Sequence, residues 1–361
     1  MPPAHPSNDA EAEAQGALSR WEKAGARVER LSGGLINATY AVEHSADQFI
    51  LQRVNPIFSE LIHTNIHAVT EHLANKGLTT PKLVPNSEGE WFSRVEGHVW
   101  RLMTRVSGVS LERPSTATVA EAGRMLGVFH QALRDLTHDF TGMRSGVHDT
   151  ELHLKRLLAA LQCFPSHRLL GKVEPLAESI FRSAAELPEL EAGGVRVVHG
   201  DPKFNNLLFE PGPTPRALCW VDLDTVGPAS LATELGDAWR SWCNVRGEDE
   251  AMAAFDLTLF EASAKAYGTV MADLDPPERE GLLYGIEWIT LELCARFLTD
   301  SLEERYFGWD AARFPAAGEH QLLRAEGQWS LHQQVLYTRK ARAQILDRAL
   351  TRPGADKPEQ R

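Results

Sequence analysis

Apolar positions recur at two different periods along the chain, and the change of period falls near residues 107–108. Before it, RVERLSGGLINATYAVEH alternates apolar and polar residues on both sides of the pair Gly33-Gly34, which predicts a hairpin. QFILQRVN predicts a third strand, and EWFSRVEGHVWRLMTRV two more around a Glu96-Gly97 turn. Between these runs Leu61, Ile62, Ile66, Val69 and Leu73 fall at helical spacing, with Gly77 as the expected stop. After Gly108 the spacing of Val119, Ala122, Leu126, Phe129, Leu133 and Leu136 predicts a long amphipathic helix. ELHLKRLLAALQCF, AESIFRSAAELPEL and most of the chain from Leu231 to Ala349 also read as helical. One β element interrupts them: VRVVHG, NLLFEPG and ALCWVDLD, with PGPTPR turning between the last two. The expected class is α+β. Residues 17–107 form a sheet with one helix, and 108–351 a larger, mainly helical part. The tails at 1–16 and 352–361, rich in Pro, Ala and charge, are expected to be disordered.

Composition narrows the partners. At 361 residues, 43% hydrophobic and 24% charged, the chain supports a substantial buried core. A net charge of -12 argues against a general nucleic-acid or anionic-membrane binder, since both need a basic face. It leaves room for a small phosphorylated ligand, which a few local cations suffice to hold. Cys163, Cys219, Cys243 and Cys294 lie far apart with no CxxC spacing, so a disulfide framework or zinc site is not expected. The start is acidic without an apolar core, and no run of about 18 apolar residues occurs. The expectation is a cytoplasmic protein with a small-molecule partner. His63 and His67 form an HxxxH pair without a third ligand nearby, which reads as an exposed helix face. Trp239 and Trp242 suggest an aromatic cage for a quaternary ammonium, but core packing is the plainer reading of tryptophans in a helical domain.

The chemistry concentrates in VVHGDPKFNN and CWVDLDT. An apolar strand runs into His199, Gly200 and Asp201, with Asn206 five positions past that Asp. A second apolar strand ends in Asp222, followed by Asp224. Mg²⁺ takes a few oxygen ligands and keeps its other positions for water and phosphate, which suits Asp222 with Asn206. Asp201 is then free to accept a proton from a hydroxyl nucleophile. A lone Asp-x-Asp beside a turn is ordinarily turn chemistry; two strands with His199, Asp201, Asn206 and Asp222 together are harder to explain that way.

His-x-Asp-x-x-x-x-Asn followed by a metal-binding Asp is the spacing of the protein-kinase catalytic loop, here with Gly200 in the middle. That HGDxxxxN variant resembles the aminoglycoside phosphotransferase and choline kinase group. The resemblance implies a protein-kinase-like fold of two lobes, a small β-rich N-lobe and a larger helical C-lobe, using ATP and Mg²⁺. It assigns Asp201 as base and Asn206 and Asp222 as metal ligands. LSGGLINATYAV corresponds to the cover over the nucleotide phosphates, which puts Gly33, Gly34, Asn37 and Thr39 near ATP. In QRV the chain departs from the pattern: Gln52 stands where a kinase carries its phosphate-contacting Lys, with Arg53 beside it. Strand alternation sends the two to opposite faces, so only one can meet the nucleotide. Glu71 is the candidate ion-pair partner on the helix, or else a solvated helix Glu. RLMTRVSG corresponds to the connector that meets adenine, with Met103 and Arg105 on it.

Longer stretches, among them INATYAV, RVVHGDPKFNNLLF, CWVDLDTVGP, ELGDAWR and ITLELCARFLTD, are similar to the N-acetylhexosamine 1-kinase branch of that group. This implies phosphorylation of the anomeric hydroxyl of a free amino sugar. Asp224 replaces the Gly of Asp-Phe-Gly and could serve a second metal, a water or a substrate hydroxyl. Asp237, Arg296 and Asp300 are substrate candidates. A structural salt bridge between Arg296 and Asp300 at i, i+4, and a bracing role for Asp237, are the competing readings. Other acceptors of the same chemistry are an aminoglycoside, homoserine or choline. A nucleotide-binding pseudokinase, suggested by the missing Lys, is the reading from a different class.

Overall fold

The computed structural model describes residues 8–31, 36–190, 193–213, 215–271 and 273–351. The chain divides into two compact units. The first is Met1–Gly108 with two returning segments, Asp135–Ser145 and Cys219–Gly227; the second is Val109–Arg134, Gly146–Leu218 and Pro228–Arg361. The first break falls at Gly108, where the hydrophobic period changes. The returning segments carry no compositional mark and are held by tertiary contacts. His72 and Lys76 both bind Asp135, at 2.9 and 2.6 Å, and Asn65 Nδ2 donates to the Thr141 carbonyl at 2.8 Å.

In the first unit a helix α1 (Asn8–Leu18) precedes the strands β1 (Arg27–Arg30), β2 (Ala38–His44) and β3 (Asp47–Val54). Helix α2 (Ile62–Asn75) follows, then β4 (Leu83–Val84), β5 (Ser93–Val95) and β6 (His98–Thr104). The strands form one antiparallel sheet in the order β1-β2-β3-β6-β4, with β5 also paired to β6. Glu96 and Gly97 turn between β5 and β6 with φ of 51° and 80°, the pair of positive angles a tight hairpin needs. Helix α2 ends as Gly77 enters the left-handed region at φ 78°, its amide bonding back to the Ala74 carbonyl.

Helix α1 corrects the expectation of a disordered stretch through residue 16. Ala14, Ala17 and Leu18, with Trp21, pack on Tyr40, Val42, Phe49, Leu51, Trp100 and Leu102 from one face of the sheet. Small alanines give the helix a weak sequence signal yet let it sit close to the strands. Burying Leu18 and Trp21 contributes roughly 1.5–3 kcal/mol each.

The second unit holds β7 (Val109–Ser110), α3 (Thr116–Ala132), α4 (Thr150–Cys163), α5 (Leu170–Glu186) and β8 (Val195–Val198). Then come β9 (Leu207–Phe209), β10 (Ala217–Trp220), which crosses the division, and β11 (Gly227–Ser230), followed by α6 (Leu231–Trp242), α7 (Leu257–Val270), α8 (Pro276–Glu303) and α9 (Ala317–Leu350). β8 pairs with β11, and β9 lies between β7 and β10. One core joins α4, α5, α8 and α9 through Leu157, Val173, Ile180, Leu291, Phe297 and Leu322. Helices α6 and α8 approach closely where glycines meet: a Cβ on Gly236 would lie 2.6 Å from the Gly285 carbonyl carbon. That contact fixes α6, and α6 carries the residues that shape the site.

Candidate active site

In the second unit β8 delivers His199 to a turn in which Gly200 has φ 82°. The turn is held by a residue outside the motif. Glu234 on α6, 2% exposed, accepts the His199 amide on one oxygen and the Gly200 amide on the other, both at 2.9 Å. His130 Nε2 stands 3.5 Å from the same carboxylate, and its Nδ1 meets the Tyr267 hydroxyl at 3.0 Å. The Asp201 amide donates to His199 Nδ1 at 3.3 Å, and Trp242 Nε1 donates to the Pro202 carbonyl at 2.8 Å. The backbone around Asp201 is thereby fixed from both sides.

Asn206 turns its amide nitrogen to the Asp201 carbonyl at 2.9 Å and to Asp201 Oδ2 at 3.4 Å, so its own carbonyl oxygen is the atom free to face a cation. Lys203 Nζ lies 3.0 Å from Asp201 Oδ1. Burial disfavours the charged Lys203, but Asp201, Asp237 and Glu248 outweigh it and raise its pKa. Asp237 is paired with Arg240 at 2.8 Å, and Arg240 with Glu248 at 2.7 Å. Burial pushes the Asp237 carboxyl up, yet Arg240, then His148 and Lys203, hold it well below the ordinary carboxylate range.

Beside this cluster is a cavity of about 520 Å³ whose lining includes His148, Thr150, Glu189, Trp288, Ile289 and Glu292. The buried Glu292 accepts from Thr150 Oγ1 at 2.9 Å and contacts His148 Nδ1 at 3.2 Å. Burial lowers the affinity of His148 for a proton; Glu292 and Asp237 more than restore it, so its pKa is raised. Arg296 pairs with Glu292 at 3.7 Å and lies over the Phe307 ring. The expected i, i+4 pairing with Asp300 is replaced by one to i−4. Asp300, 2% exposed, instead accepts the backbone amides of Arg305, Tyr306 and Phe307 at 2.8–3.0 Å, which ties down the chain leaving α8. Trp239 and Trp242 are fully buried core residues.

In the first unit the two neighbouring side chains of β3 lie on opposite faces of the sheet. Arg53 shares a face with Trp100, its register partner, and binds Glu13 of α1 at 2.9 and 3.2 Å. Gln52 points to the opposite face, where Nε2 donates to Thr39 Oγ1 at 3.1 Å and Oε1 accepts from Arg101 Nε at 2.9 Å. Arg101 forms an ion pair with Asp224. Asn37 Nδ2 donates to the same carboxylate at 2.6 Å, and Asn37 Oδ1 accepts the Asn55 amide at 2.9 Å. Four of the sequence candidates, Asn37, Thr39, Gln52 and Asp224, thus share one network, joined by an arginine the motif did not point to. Asp222 adopts φ 64°, an uncommon conformation for a side chain other than glycine.

Glu71 pairs with Lys82 at 2.9 Å on the surface of α2. Met103 is buried, Arg105 is exposed, and Gly33 and Gly34 lie outside the described residues. The exposed-face reading fails for His63, which is 1% exposed; its pKa is lowered to about 4, by burial first and then by Arg101. Among the described residues no three His, Cys, Asp or Glu side chains stand close enough to hold a metal by themselves. Nor is any described helix long and apolar enough to cross a membrane.

A β-rich unit, a helical unit and a strand-borne His-Gly-Asp loop with its Asn define a phosphotransferase of the kinase-like α+β class. Residues 27–273 match the model of the phosphotransferase enzyme family, and the chain belongs to that family. A homoserine kinase of Cupriavidus pinatubonensis is 26% identical over 247 residues, covering 66% of this chain and 71% of that protein. Another, of Xanthobacter autotrophicus, is 32% identical over 188 residues, which is 50% of this chain and 54% of that one. Among solved structures, a microcompartment-associated aminopropanol kinase superposes with a TM-score of 0.62 at 18% identity, covering 91% of this chain and 98% of the other. An aminoglycoside phosphotransferase of Alicyclobacillus acidocaldarius gives 0.62 at 17%, over 94% and 98%. The amicoumacin kinase hAmiN, in complex with AMP-PNP, Ca²⁺ and Ami, gives 0.61 at 14%, over 91% and 96%. These structures share the fold.

Proposed function

We propose that the protein transfers the γ-phosphoryl group of ATP to a hydroxyl of a small polar acceptor, an amino sugar such as an N-acetylhexosamine. The observation that carries the kinase reading is the fixed loop: the Asp201 backbone is locked by Glu234, His199 and Trp242, while its carboxylate faces Lys203 and Asn206. Asp201 positions the acceptor hydroxyl and takes its proton at a carboxylate oxygen as the new O–P bond forms and the bond from the γ-phosphorus to the bridging oxygen breaks, releasing ADP. Lys203 contributes positive charge beside the base. By the motif likeness, Asn206 and Asp222 would be the residues that offer oxygen ligands to Mg²⁺, which would neutralise charge on the phosphates. The anchored amide nitrogen of Asn206 and the sterically costly backbone of Asp222 both fit that role. Adenine is assigned to the backbone at Met103 and Arg105.

The sugar reading rests on the motif likeness and on a cavity of about 520 Å³, roomy for a short amino alcohol. Homoserine is the second reading, favoured by the two homoserine kinases similar to this chain. A panel of N-acetylglucosamine, N-acetylgalactosamine, homoserine, aminopropanol and an aminoglycoside, followed by ADP release with Asp201→Ala as control, decides between them. Turnover of homoserine with none of either sugar selects the second reading. Tight ATP binding without turnover of any acceptor selects a pseudokinase.

A further inference from the structure

The strand position where a kinase carries its phosphate-contacting lysine is Gln52, and the adjacent cation, Arg53, is spent on Glu13 across the opposite face. The helix carboxylate expected to pair with such a lysine, Glu71, is spent on Lys82. Neither partner of the usual Lys–Glu pair is therefore in place. An equivalent pair stands on the same sheet face, assembled from other elements. The antiparallel register sets Arg101 of β6 directly beside Gln52 of β3, which in turn lies beside Thr39 of β2. Arg101 Nε is held by Gln52, and its Nη1 by Asp224, which Asn37 fixes from its other oxygen.

We infer that Arg101, held by Gln52 and Asp224, is the cation that contacts the nucleotide phosphates, with Asp224 in the place of the helix glutamate. The inference rests on the ATP-kinase reading above. Burial argues that the charge has a use. Arg101 and Asp224 side chains are 1% and 3% exposed, and an ion pair that deep contributes little stability over apolar residues of the same size. Among the described residues Arg101 is the sole buried Arg or Lys of the first unit. Its planar fork has five N–H donors; Nε is taken by Gln52, while the buried Nη1, ion-paired with Asp224, makes no hydrogen bond and keeps donor capacity for an oxyanion. His63, also buried on this side of the sheet, is kept neutral partly by Arg101, so the guanidinium supplies the positive charge there.

The test compares nucleotides that differ in phosphate alone. Dissociation constants for ATP, ADP and adenosine are measured by calorimetry on the full chain, with thermal melts to confirm folding. Arg101→Met is expected to weaken ATP and ADP by roughly 10- to 100-fold, the worth of a charge-assisted contact, and adenosine by less than about twofold. Arg101→Lys should recover part of the loss. The double variant Gln52→Lys/Arg101→Met returns a cation to the neighbouring strand and should restore phosphate affinity. If Arg101→Met weakens adenosine as much as ATP, or weakens neither, Arg101 is only a brace and the inference falls while the kinase reading stands. A wild-type protein that binds no ATP and turns over no acceptor defeats both.

Discussion

The polar networks of the two units are built at opposite ranges. In the second unit Asp201, Lys203 and Asn206 meet within one loop of six residues. In the first, Asn37, Gln52, Arg101 and Asp224 are gathered from two strands, a strand-flanking segment and a turn, with Asn37 and Asp224 separated by 187 positions. A loop can carry its chemistry in its own order because a few backbone hydrogen bonds place every side chain. A sheet face needs register, and register is set by pairs distant in sequence. If, as proposed, the loop carries the chemistry and the sheet the ligand charge, substitutions in the two should separate in kcat and in nucleotide affinity.

The largest effect expected is on the loop. Asp201→Ala should lower kcat by about 10³-fold or more, the usual weight of a positioned base, while ATP affinity and melting temperature stay near wild type. Loss of ATP affinity in parallel with kcat would break the division of labour. Next is a contrast between two buried ion pairs. Glu287, fully buried, binds both Arg339 and Arg342, and Arg342 is itself fully buried. Glu287→Ala strands Arg342 in the helical core and should cost about 3–5 kcal/mol, read as unfolding free energy in denaturant. Kinetic constants of the protein that remains folded should be unchanged, unlike those of Arg101→Met. A third, smaller effect sharpens the loop side. Glu234→Gln puts an amide N–H against one of the two backbone N–H groups it now accepts. Displacing the Asp201 backbone in this way should lower kcat roughly 10- to 100-fold with adenosine binding intact.

The same contrast explains what the residue order revealed. That Asp201 and Asn206 meet in one loop is legible because their spacing is itself the geometry. The sheet strands were legible from alternation, and Glu96-Gly97 from its turn chemistry. Glu234 was not, although it stands in ELGDAWR: its function is to receive two amides 34 and 35 positions earlier. Arg101 gives no signal within RLMTRVSG because its place depends on lying across from Gln52. Choosing between Gln52 and Arg53 required knowing which face α1 covers, and α1 is an alanine-rich helix whose apolar side is too small to announce itself. His148 and Glu292, 144 positions apart, belong together only through the packing of the helical unit.

The smallest expected effect concerns one buried histidine in each unit. In the second, His332 sits between Ser183 Oγ at 2.7 Å and Thr290 Oγ1 at 3.0 Å, and burial, with Arg339 and Arg342 adding to it, lowers its pKa to about 4. In the first, His63 donates through Nδ1 to the Glu60 carbonyl at 2.7 Å and is likewise lowered to about 4. An unfolded histidine binds a proton near pH 6.5, so below that pH the unfolded chain takes up protons that these folded side chains refuse. The stability each contributes is complete above about pH 6.5 and drains away as pH falls toward 4. His148 acts in the opposite sense, since its raised pKa favours the folded form as pH falls. Depressed carboxylates such as Asp237 and Glu304 lose their contribution only at lower pH. Between pH 7 and pH 5 each of the two neutral histidines should therefore cost on the order of 1–2 kcal/mol. Unfolding curves of His332→Gln and His63→Gln at both pH values read this directly, because each variant should lose stability less steeply than wild type. An unchanged slope in His63→Gln alone would mean that its side chain takes up a proton in the folded sheet, placing a second positive charge beside Arg101. The phosphate-facing charge of the first unit would then depend on pH, whereas the helical unit's core would not.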